Sequence, residues 1–259
     1  MNGAVNIGLF EFSLVYLLLI AVLIVMKYAK VDKMKILLIA SVRMTVQLVL
    51  VGYLLTFIFE HPNPWFTILF LAATVSFSIH RVLSGQKWMN TEFKIAVACS
   101  LALPGLVILA YFVCIIVRKS IFDAQYTIPL SGMVIGNAMT GMTLALKTFR
   151  DTIRDQRKKI DTLLYLGVNP QDILKPFVSN ALETALLPTI NSMLGMGIIF
   201  LPGMMTGQIL SGTVPTTAIM YQIAIMIVIC TAVCLSVFCA LNLGYRTLYN
   251  ERNQIDLNW

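Results

Sequence analysis

The sequence predicts an all-α membrane protein: a polytopic bundle of about seven transmembrane helices that forms one domain over residues 1–259. Hydrophobic residues make up 58% of the chain and charged residues 12%, and the mean hydropathy is +0.84. These values lie outside the range of soluble domains. Apolar runs of about 20 residues, the length that crosses a bilayer, recur along the chain. The basic residues lie between these runs, with the exception of Arg43.

Seven apolar runs are the candidate spans, in chain order: residues 7–26, 36–59, 65–79, 95–117, 128–146, 186–209 and 217–243. The third run is short and the sixth is interrupted, so the pattern is compatible with five to eight spans. The first run does not have the form of a signal peptide, because its lysines follow the apolar residues instead of preceding them.

The basic residues are divided unequally between the two alternating sets of segments that flank the spans. One set holds sixteen of the 19 lysines and arginines, and the other holds only Arg118 and Lys119. Positively charged segments stay in the cytoplasm, so seven spans predict an external N-terminus and a cytoplasmic C-terminus. This topology and anionic lipid account for the net charge of +7, and no nucleic-acid partner is expected.

The fifth and sixth spans are rich in glycine. Gly132 and Gly136 are four residues apart on one helix face, and Gly203 and Gly207 repeat that spacing. Such spacing allows helices to approach closely, so we expect these glycines to pack the two spans or let them slide. Pro202 removes a backbone hydrogen bond and predicts a hinge. A break of this kind is stable in a membrane only where protein buries it or where it lines a watery cavity.

A charged arm, residues 147–182, separates these two spans and carries seven of the basic residues. Over residues 150–166 the pattern predicts a helix that extends the fifth span into water. Gly167 is expected to end this helix as a left-handed cap. Asn169 and Pro170 then predict the N-cap and first residue of a short second helix, which would lie along the membrane surface.

Polar and sulfur-bearing side chains within the spans are the candidates for lining a transport path. Arg43 lies about 12 Å deep in the second span, with Gln47 one turn further; an intramembrane arginine marks either a function or a structural anchor, and both interpretations stay open. The glycine-rich spans supply the other candidates: Asn137, Met139, Thr140, Asn191, Met204, Met205 and Gln208. Thioethers suit soft metals, but methionine within a span is more often a packing residue, the interpretation favoured at this point.

The sequence contains none of the common catalytic motifs. We find no Gly-x-x-x-x-Gly-Lys-Ser/Thr phosphate loop, no His-Glu-x-x-His zinc motif and no Gly-x-Ser-x-Gly elbow, and no span contains an aspartate. The five cysteines fall within spans without a Cys-x-x-Cys pair, as packing residues would. We therefore expect no enzyme activity and no cofactor in this chain.

Five short stretches carry a resemblance to a known family: residues 135–139 (IGNAM), 163–167 (LLYLG), 185–189 (ALLPT), 201–207 (LPGMMTG) and 221–222 (YQ). With them the chain resembles the FetB-type permeases, a family of bacterial iron-export ABC permeases related to plant aluminium-tolerance membrane proteins. The resemblance covers about residues 10–250 and is most specific at residues 201–207.

The resemblance implies the permease subunit of an ABC transporter that exports iron or another metal cation across the plasma (inner) membrane. It also implies a homodimer of this chain, two copies of a separate cytoplasmic ATPase, and ATP with Mg²⁺ on that partner. The second arm helix would then couple the two subunits, with its apolar side in a groove of the ATPase. The residues assigned to this coupling are Asp161, Gly167, Asn169, Pro170, Ile173, Leu174 and Phe177.

Two other functions stay open from the residues alone. One is a metal transporter or channel driven by an ion gradient, although such carriers usually need carboxylates deep in the membrane, and none is clearly placed here. The other is a membrane scaffold that recruits a soluble protein through the arm and transports nothing.

Overall fold

The computed structural model describes residues 8–86 and 88–249, and these are helical nearly throughout. The helices are α1 (Leu9–Tyr28), α2 (Met34–Glu60), α3 (Pro64–Ser84), α4 (Thr91–Tyr111), α5 (Ala124–Asp155), α6 (Arg157–Tyr165), α7 (Pro170–Gly195), α8 (Gly203–Leu210) and α9 (Pro215–Gly244). A π-helical turn continues α4, and a 3₁₀ turn continues α9. The predicted helical membrane fold is confirmed.

Six helices in the described parts of the chain are long and apolar enough to cross a membrane: α1 to α5 and α9. The helix α7 is more polar, but its 26 residues extend about 39 Å at the helical rise, which also exceeds the bilayer core. One side of α7 packs against α5 and α9, whereas Leu187, Ile190 and Leu194 are exposed on it. The seventh crossing therefore remains a prediction, and α7 is the helix that would make it.

The core lies among α3, α4, α5, α7 and α9, with α5 at its centre and α4 packed along α9. Phe93, Phe112 and Phe149 are fully buried there, and Phe93 and Phe149 meet edge to face. The α1–α2 hairpin lies outside this core, since Ile58 is its one buried residue among those described. In a membrane, lipid or another protein covers the apolar surface of that hairpin.

Hydrogen bonds between distant residues identify the two ends of the bundle. At one end the Asn90 amide donates to the Thr247 carbonyl oxygen (2.8 Å), and the Gln171 amide donates to the Tyr249 hydroxyl (2.9 Å). At the opposite end, the Thr67 hydroxyl donates to the carbonyl oxygen of Phe122 (3.0 Å). The starts of α4 and α7 thus meet the end of α9. If seven helices cross the membrane in alternating directions, these three helix ends lie on the same side, as observed. The charge distribution predicts that this end is cytoplasmic.

The sixth predicted span, residues 186–209, is not one helix. The helix α7 ends at Gly195, a loop follows, and α8 is a separate helix of eight residues. Gly197 has a φ of +83°, and its amide donates to the Phe200 carbonyl oxygen (3.0 Å), so the chain turns tightly here. Left-handed backbone of this kind stops a helix and favours glycine. The third predicted span was too short, because α3 runs on to Ser84.

The arm also differs from its prediction. The fifth-span helix ends at Asp155, and α6 begins after Gln156, where the backbone departs from helical geometry (φ −101°, ψ 20°). The second arm helix does not stop near residue 182 or lie along the surface, because it is the first part of α7 and packs against α5 and α9. We call residues 156–169, which join α5 to α7 and include α6, the elbow.

Candidate functional site

A cavity of about 260 Å³ lies between α5, α7, α8 and α9, in the half of the bundle away from the elbow. Methionines and uncharged polar residues dominate its wall, and no lining side chain carries a formal charge. The lining residues are Met133, Asn137, Pro188, Thr189, Ser192, Met196, Phe200, Pro202, Gly203, Met204, Gln222, Ile225, Met226 and Ile229. A polar concave site of this kind inside a membrane bundle is a candidate binding site.

Local sequence explains how each helix contributes to the wall. On α5, Met133 and Asn137 are four residues apart and share a face, and on α9 Gln222 and Met226 do the same. Pro188 lies inside α7 beside the cavity, where it removes one backbone hydrogen bond and favours a bend. The loop after α7 and the start of α8 close the remaining side.

The most buried polar group in the cavity is Gln222, which is 6% exposed. Its side-chain nitrogen donates to the Met196 sulfur at 3.7 Å, whereas its carbonyl oxygen has no hydrogen-bond partner. The Asn137 amide donates to the Met133 carbonyl oxygen of its own helix (2.7 Å), which leaves the Asn137 side-chain oxygen free for another donor or a cation. The cavity therefore presents uncharged oxygens and thioethers.

The structure brings together only part of the predicted path. Asn137 and Met204 line the cavity. Met205 faces inward beside it and is buried, and Gln208 on α8 has a buried side-chain oxygen without a hydrogen-bond partner. Asn191 is exposed on α7 and is not part of the lining.

The remaining path candidates lie elsewhere. Met139 and Thr140 line a second depression nearer the elbow end, together with Arg81. Arg43 and Gln47 are exposed on the peripheral α2, where the Arg43 guanidinium lies 5.7 Å from the centre of the Phe77 ring. That cation–π contact favours the anchoring interpretation of Arg43. The structure therefore gives no support for Arg43 and Gln47 as walls of the cavity.

The glycine predictions need correction. A Cβ atom added at Gly132, Gly136, Gly203 or Gly207 would meet nothing within 4 Å among the described residues, so these glycines are not points of close helix packing in that part of the chain. Pro202 is the N-cap of α8 and stands at a loop boundary instead of inside a span. Close approaches occur instead at Gly141, where a Cβ would lie 2.6 Å from Cγ1 of Val233, and at Gly244, where a Cβ would collide with the Phe93 ring.

The elbow is the second candidate site, and its predicted turn is confirmed. Gly167 has a φ of +79°, its amide donates to Leu164, and the next amide, of Val168, donates to Leu163. This pair of bonds is the Schellman motif. The Asn169 side chain accepts from the Gln171 amide at 3.0 Å and caps α7, with Pro170 at its first position.

The apolar coupling residues are not available to a partner. Ile173, Leu174 and Phe177 are 5%, 0% and 7% exposed and belong to the core of the chain. The most exposed apolar residues of the elbow are instead Tyr165 (91%) and Leu166 (75%), at the end of α6, and Val168 is exposed to 37%. The sequence analysis did not assign a docking role to Tyr165 or Leu166, because a helical stripe does not distinguish a core contact from a docking contact.

Charged residues of α6 precede this apolar tip. Arg157 pairs with Asp161 across one turn of α6 at 3.2 Å, so the coupling candidate Asp161 has a local structural partner. Both side chains are about 42% exposed, and a pair of this kind contributes only a few tenths of a kcal/mol, roughly 0.3–0.5. Lys158 and Lys159 are exposed and unpaired among the described residues, so they are available to an acidic partner surface.

The cavity residues that were absent from the predicted path include Met133, Met196, Gln222 and Met226. The sequence did carry a signal for three of them, since Met133 pairs with Asn137 at helical spacing and Gln222 pairs with Met226. That Met196 would face the same cavity depends on the turn at Gly197, which sequence patterns do not specify.

Residues 9–249 match the family described as Uncharacterised protein family (UPF0014). The chain belongs to this family. A UPF0014 membrane protein of Synechocystis, slr1647, is 32% identical over 83% of this chain and 84% of its own length. The "Probable iron export permease protein FetB" of Escherichia coli is 29% identical over 82% of this chain and 81% of its own. "Protein ALUMINUM SENSITIVE 3" of Arabidopsis thaliana is 35% identical over 71% of this chain and 66% of its own length. No solved structure matches the chain.

Membership confirms the resemblance seen in the sequence. The UPF0014 relatives are named as membrane proteins, in agreement with the apolar helices of this chain. This chain is therefore a membrane protein of a family in which one relative is named a probable permease.

Proposed function

We propose that this chain is the membrane-spanning permease subunit of an ABC transporter. In this proposal it exports iron or another metal cation across the plasma (inner) membrane, and a separate cytoplasmic ATPase binds ATP with Mg²⁺ and supplies the energy. The relative named a probable iron export permease supports the class of cargo. No catalytic residue is assigned to this chain, because its role is to form the path and to receive a mechanical signal.

The observation that carries the proposal is the direct connection between the elbow and the cavity. The helix α5 supplies Met133 and Asn137 to the cavity wall, and α7 supplies Thr189. Both helices continue without a break for about 27–29 Å to the elbow. Helices transmit displacement over such distances because their packed contacts do not deform continuously. A force on the elbow therefore reaches two walls of the cavity.

The tip of the elbow has the composition of a docking site. Tyr165 and Leu166 are large apolar residues that extend from the bundle into the predicted cytoplasm. Exposed lysines flank them, so the surface offers an apolar anchor with a basic rim. Aromatic anchors with a polar rim dominate binding energy in protein interfaces. We assign the contact with the ATPase to this tip instead of to the buried face of α7.

The transport cycle follows from this arrangement. ATP binding closes the two ATPase subunits, and their movement displaces the elbows. The displacement is conveyed along α5 and α7, and Pro188, which removes one backbone hydrogen bond inside α7, gives the cavity end of α7 a point at which it can bend relative to the elbow end. The cavity thereby changes the side of the membrane to which it opens. This is the role that the sequence analysis gave to Pro202.

A homodimer is part of the proposal. The face of α5 that carries Gly132, Gly136 and Thr140 is open within one chain. Small residues at this spacing favour close helix packing in membranes. A second copy placed against this face would put the two α5 helices, and both cavities, beside a common axis.

The elbow proposal is tested by the ATPase activity of the assembled complex. The chain in lipid nanodiscs is mixed with a cytoplasmic ABC ATPase from the same organism, and ATP hydrolysis is measured with and without metal. We expect the two proteins to co-purify and metal to raise the hydrolysis rate above that of the ATPase alone. If no ABC ATPase of that organism binds the chain, the proposal is wrong and the gradient-driven alternative takes its place.

A further inference from the structure

The wall of the cavity contains an unusual concentration of thioethers. Four of its fourteen lining residues are methionine, Met133, Met196, Met204 and Met226, whereas the whole chain has 14 methionines in 259 residues. Each of the four comes from a different segment: α5, the loop after α7, α8 and α9. Packing alone does not require four separate segments to place a sulfur against one cavity. The arrangement is that of a ligand set.

Gln222 gives independent evidence that this cavity receives a ligand. Its carbonyl oxygen is buried without a hydrogen-bond partner, while its nitrogen is engaged by the Met196 sulfur. An unpartnered buried carbonyl is costly in a folded protein. A cation in the cavity would satisfy that oxygen and would be bound by the neighbouring sulfurs as well.

The charge of the cavity decides which cations suit it. Its lining contains no aspartate, glutamate, histidine or cysteine, and the described part of the chain holds no cluster of three such residues. The desolvation cost of an ion rises with the square of its charge, and here no anionic ligand offsets that cost. Hard trivalent ions, which need carboxylate oxygens, are therefore disfavoured. Thioethers select soft ions, with Cu(I) foremost.

We propose that this cavity binds a soft, monovalent metal cation of the Cu(I) class through the methionine thioethers and the Gln222 carbonyl oxygen. The inference rests on the proposed function in one respect: it names the chemical class of the cation that the permease carries. Of the two kinds of cargo named in the proposed function, iron and another metal cation, it favours a metal cation other than iron. The binding step itself requires neither the ATPase nor ATP.

Binding of Ag(I), a redox-stable probe for Cu(I), tests the inference. The chain with its five free cysteines replaced by alanine, so that no thiol competes for silver, is titrated calorimetrically in detergent with silver nitrate in chloride-free buffer, and Fe(II), Fe(III) and Al(III) are compared. We expect Ag(I) to saturate at one ion per chain and to bind at least 100-fold more tightly than Fe(III) or Al(III). Tighter binding of either trivalent ion would overturn the inference.

Methionine variants locate the site. Met204→Leu combined with Met226→Leu should weaken Ag(I) binding at least ten-fold, and the change conserves side-chain volume so that the fold persists. The matched control combines Met193→Leu with Met220→Leu, two exposed methionines outside the lining, and should bind Ag(I) as the unaltered chain does. Equal affinity of the two double variants, whether both weak or both unchanged, would refute the assignment.

The two proposals fail in different experiments. If Ag(I) binds at the cavity but no ATPase couples to the chain, the site is correct and the permease function is wrong. If ATP drives metal movement that Met204→Leu with Met226→Leu does not alter, the permease function is correct and the site is wrong.

Discussion

Truncation of the elbow tip gives the sharpest prediction for the contact with the ATPase. Tyr165 and Leu166 are 91% and 75% exposed, so nearly all of each side chain is available for burial by a partner. Full burial of a large apolar side chain contributes about 1.5–3 kcal/mol. Replacing both residues by alanine should therefore remove about 3 kcal/mol of binding free energy, which corresponds to a roughly hundred-fold weaker Kd.

The assay is thermophoresis between the chain in nanodiscs and the labelled ATPase, with thermal stability measured in parallel. Because both residues are exposed, Tyr165→Ala with Leu166→Ala should leave the stability of the chain within about 0.5 kcal/mol. Tyr28→Ala is the matched control, since Tyr28 is 92% exposed and lies on the same predicted side of the membrane. A tip variant that binds within two-fold of the unaltered chain, or a control that weakens binding equally, would refute the docking assignment.

Three further predictions concern the stability of the bundle in detergent, followed by size-exclusion chromatography after heating. Gly141→Val should destabilise the chain by about 1–3 kcal/mol through overpacking against Val233, whereas Gly136→Val should be tolerated by the monomer; equal losses would contradict the glycine assignment. Phe177→Asp should prevent accumulation of folded protein, because it buries an unpaired carboxylate in the core; a stable variant that merely lost ATPase binding would restore the original coupling assignment. Asn90→Ala should lower stability by about 1–2 kcal/mol, since it removes the N-cap of α4 and the hydrogen bond to the end of α9. An unchanged melting temperature would show that these two hydrogen bonds do not stabilise the bundle.

The fold was predictable wherever the pattern depended on short-range physics. Composition and apolar length identified the membrane class and most of the spans. Gly167, Asn169 and Pro170 were placed correctly because a helix cap depends on neighbouring residues and requires no tertiary information. The left-handed backbone at Gly167 is available to glycine without strain.

The errors occurred where tertiary packing decides the outcome. The apolar side of the second arm helix was correctly recognised as a face that seeks burial, but the sequence does not say whether the chain itself or a partner covers it. The structure shows that α5 and α9 cover it, so Ile173, Leu174 and Phe177 are core residues. In the same way, spacing identified Gly132 and Gly136 as sharing a face, while only the structure showed that this face is open.

The candidate cavity was predictable in part for a related reason. Helical spacing places Met133 beside Asn137 and Gln222 beside Met226, but these pairs are separated by more than 80 residues in the chain. Their convergence depends on the packing of α5 against α9 and on the turn at Gly197. The lower frequency of functional methionines relative to packing methionines favoured the packing interpretation, and only the structure shows that four methionines line one cavity.

Metal flux in reconstituted vesicles tests the central claim most directly. The chain is reconstituted in vesicles with and without the cytoplasmic ATPase, and movement of Fe(II) and of Ag(I) is measured on addition of ATP to the side that carries the ATPase. The account predicts metal movement away from the ATPase side that requires both proteins and ATP hydrolysis. Movement by the chain alone along an ion gradient would contradict it and establish a secondary transporter, and ATPase binding without movement of any metal would establish a scaffold.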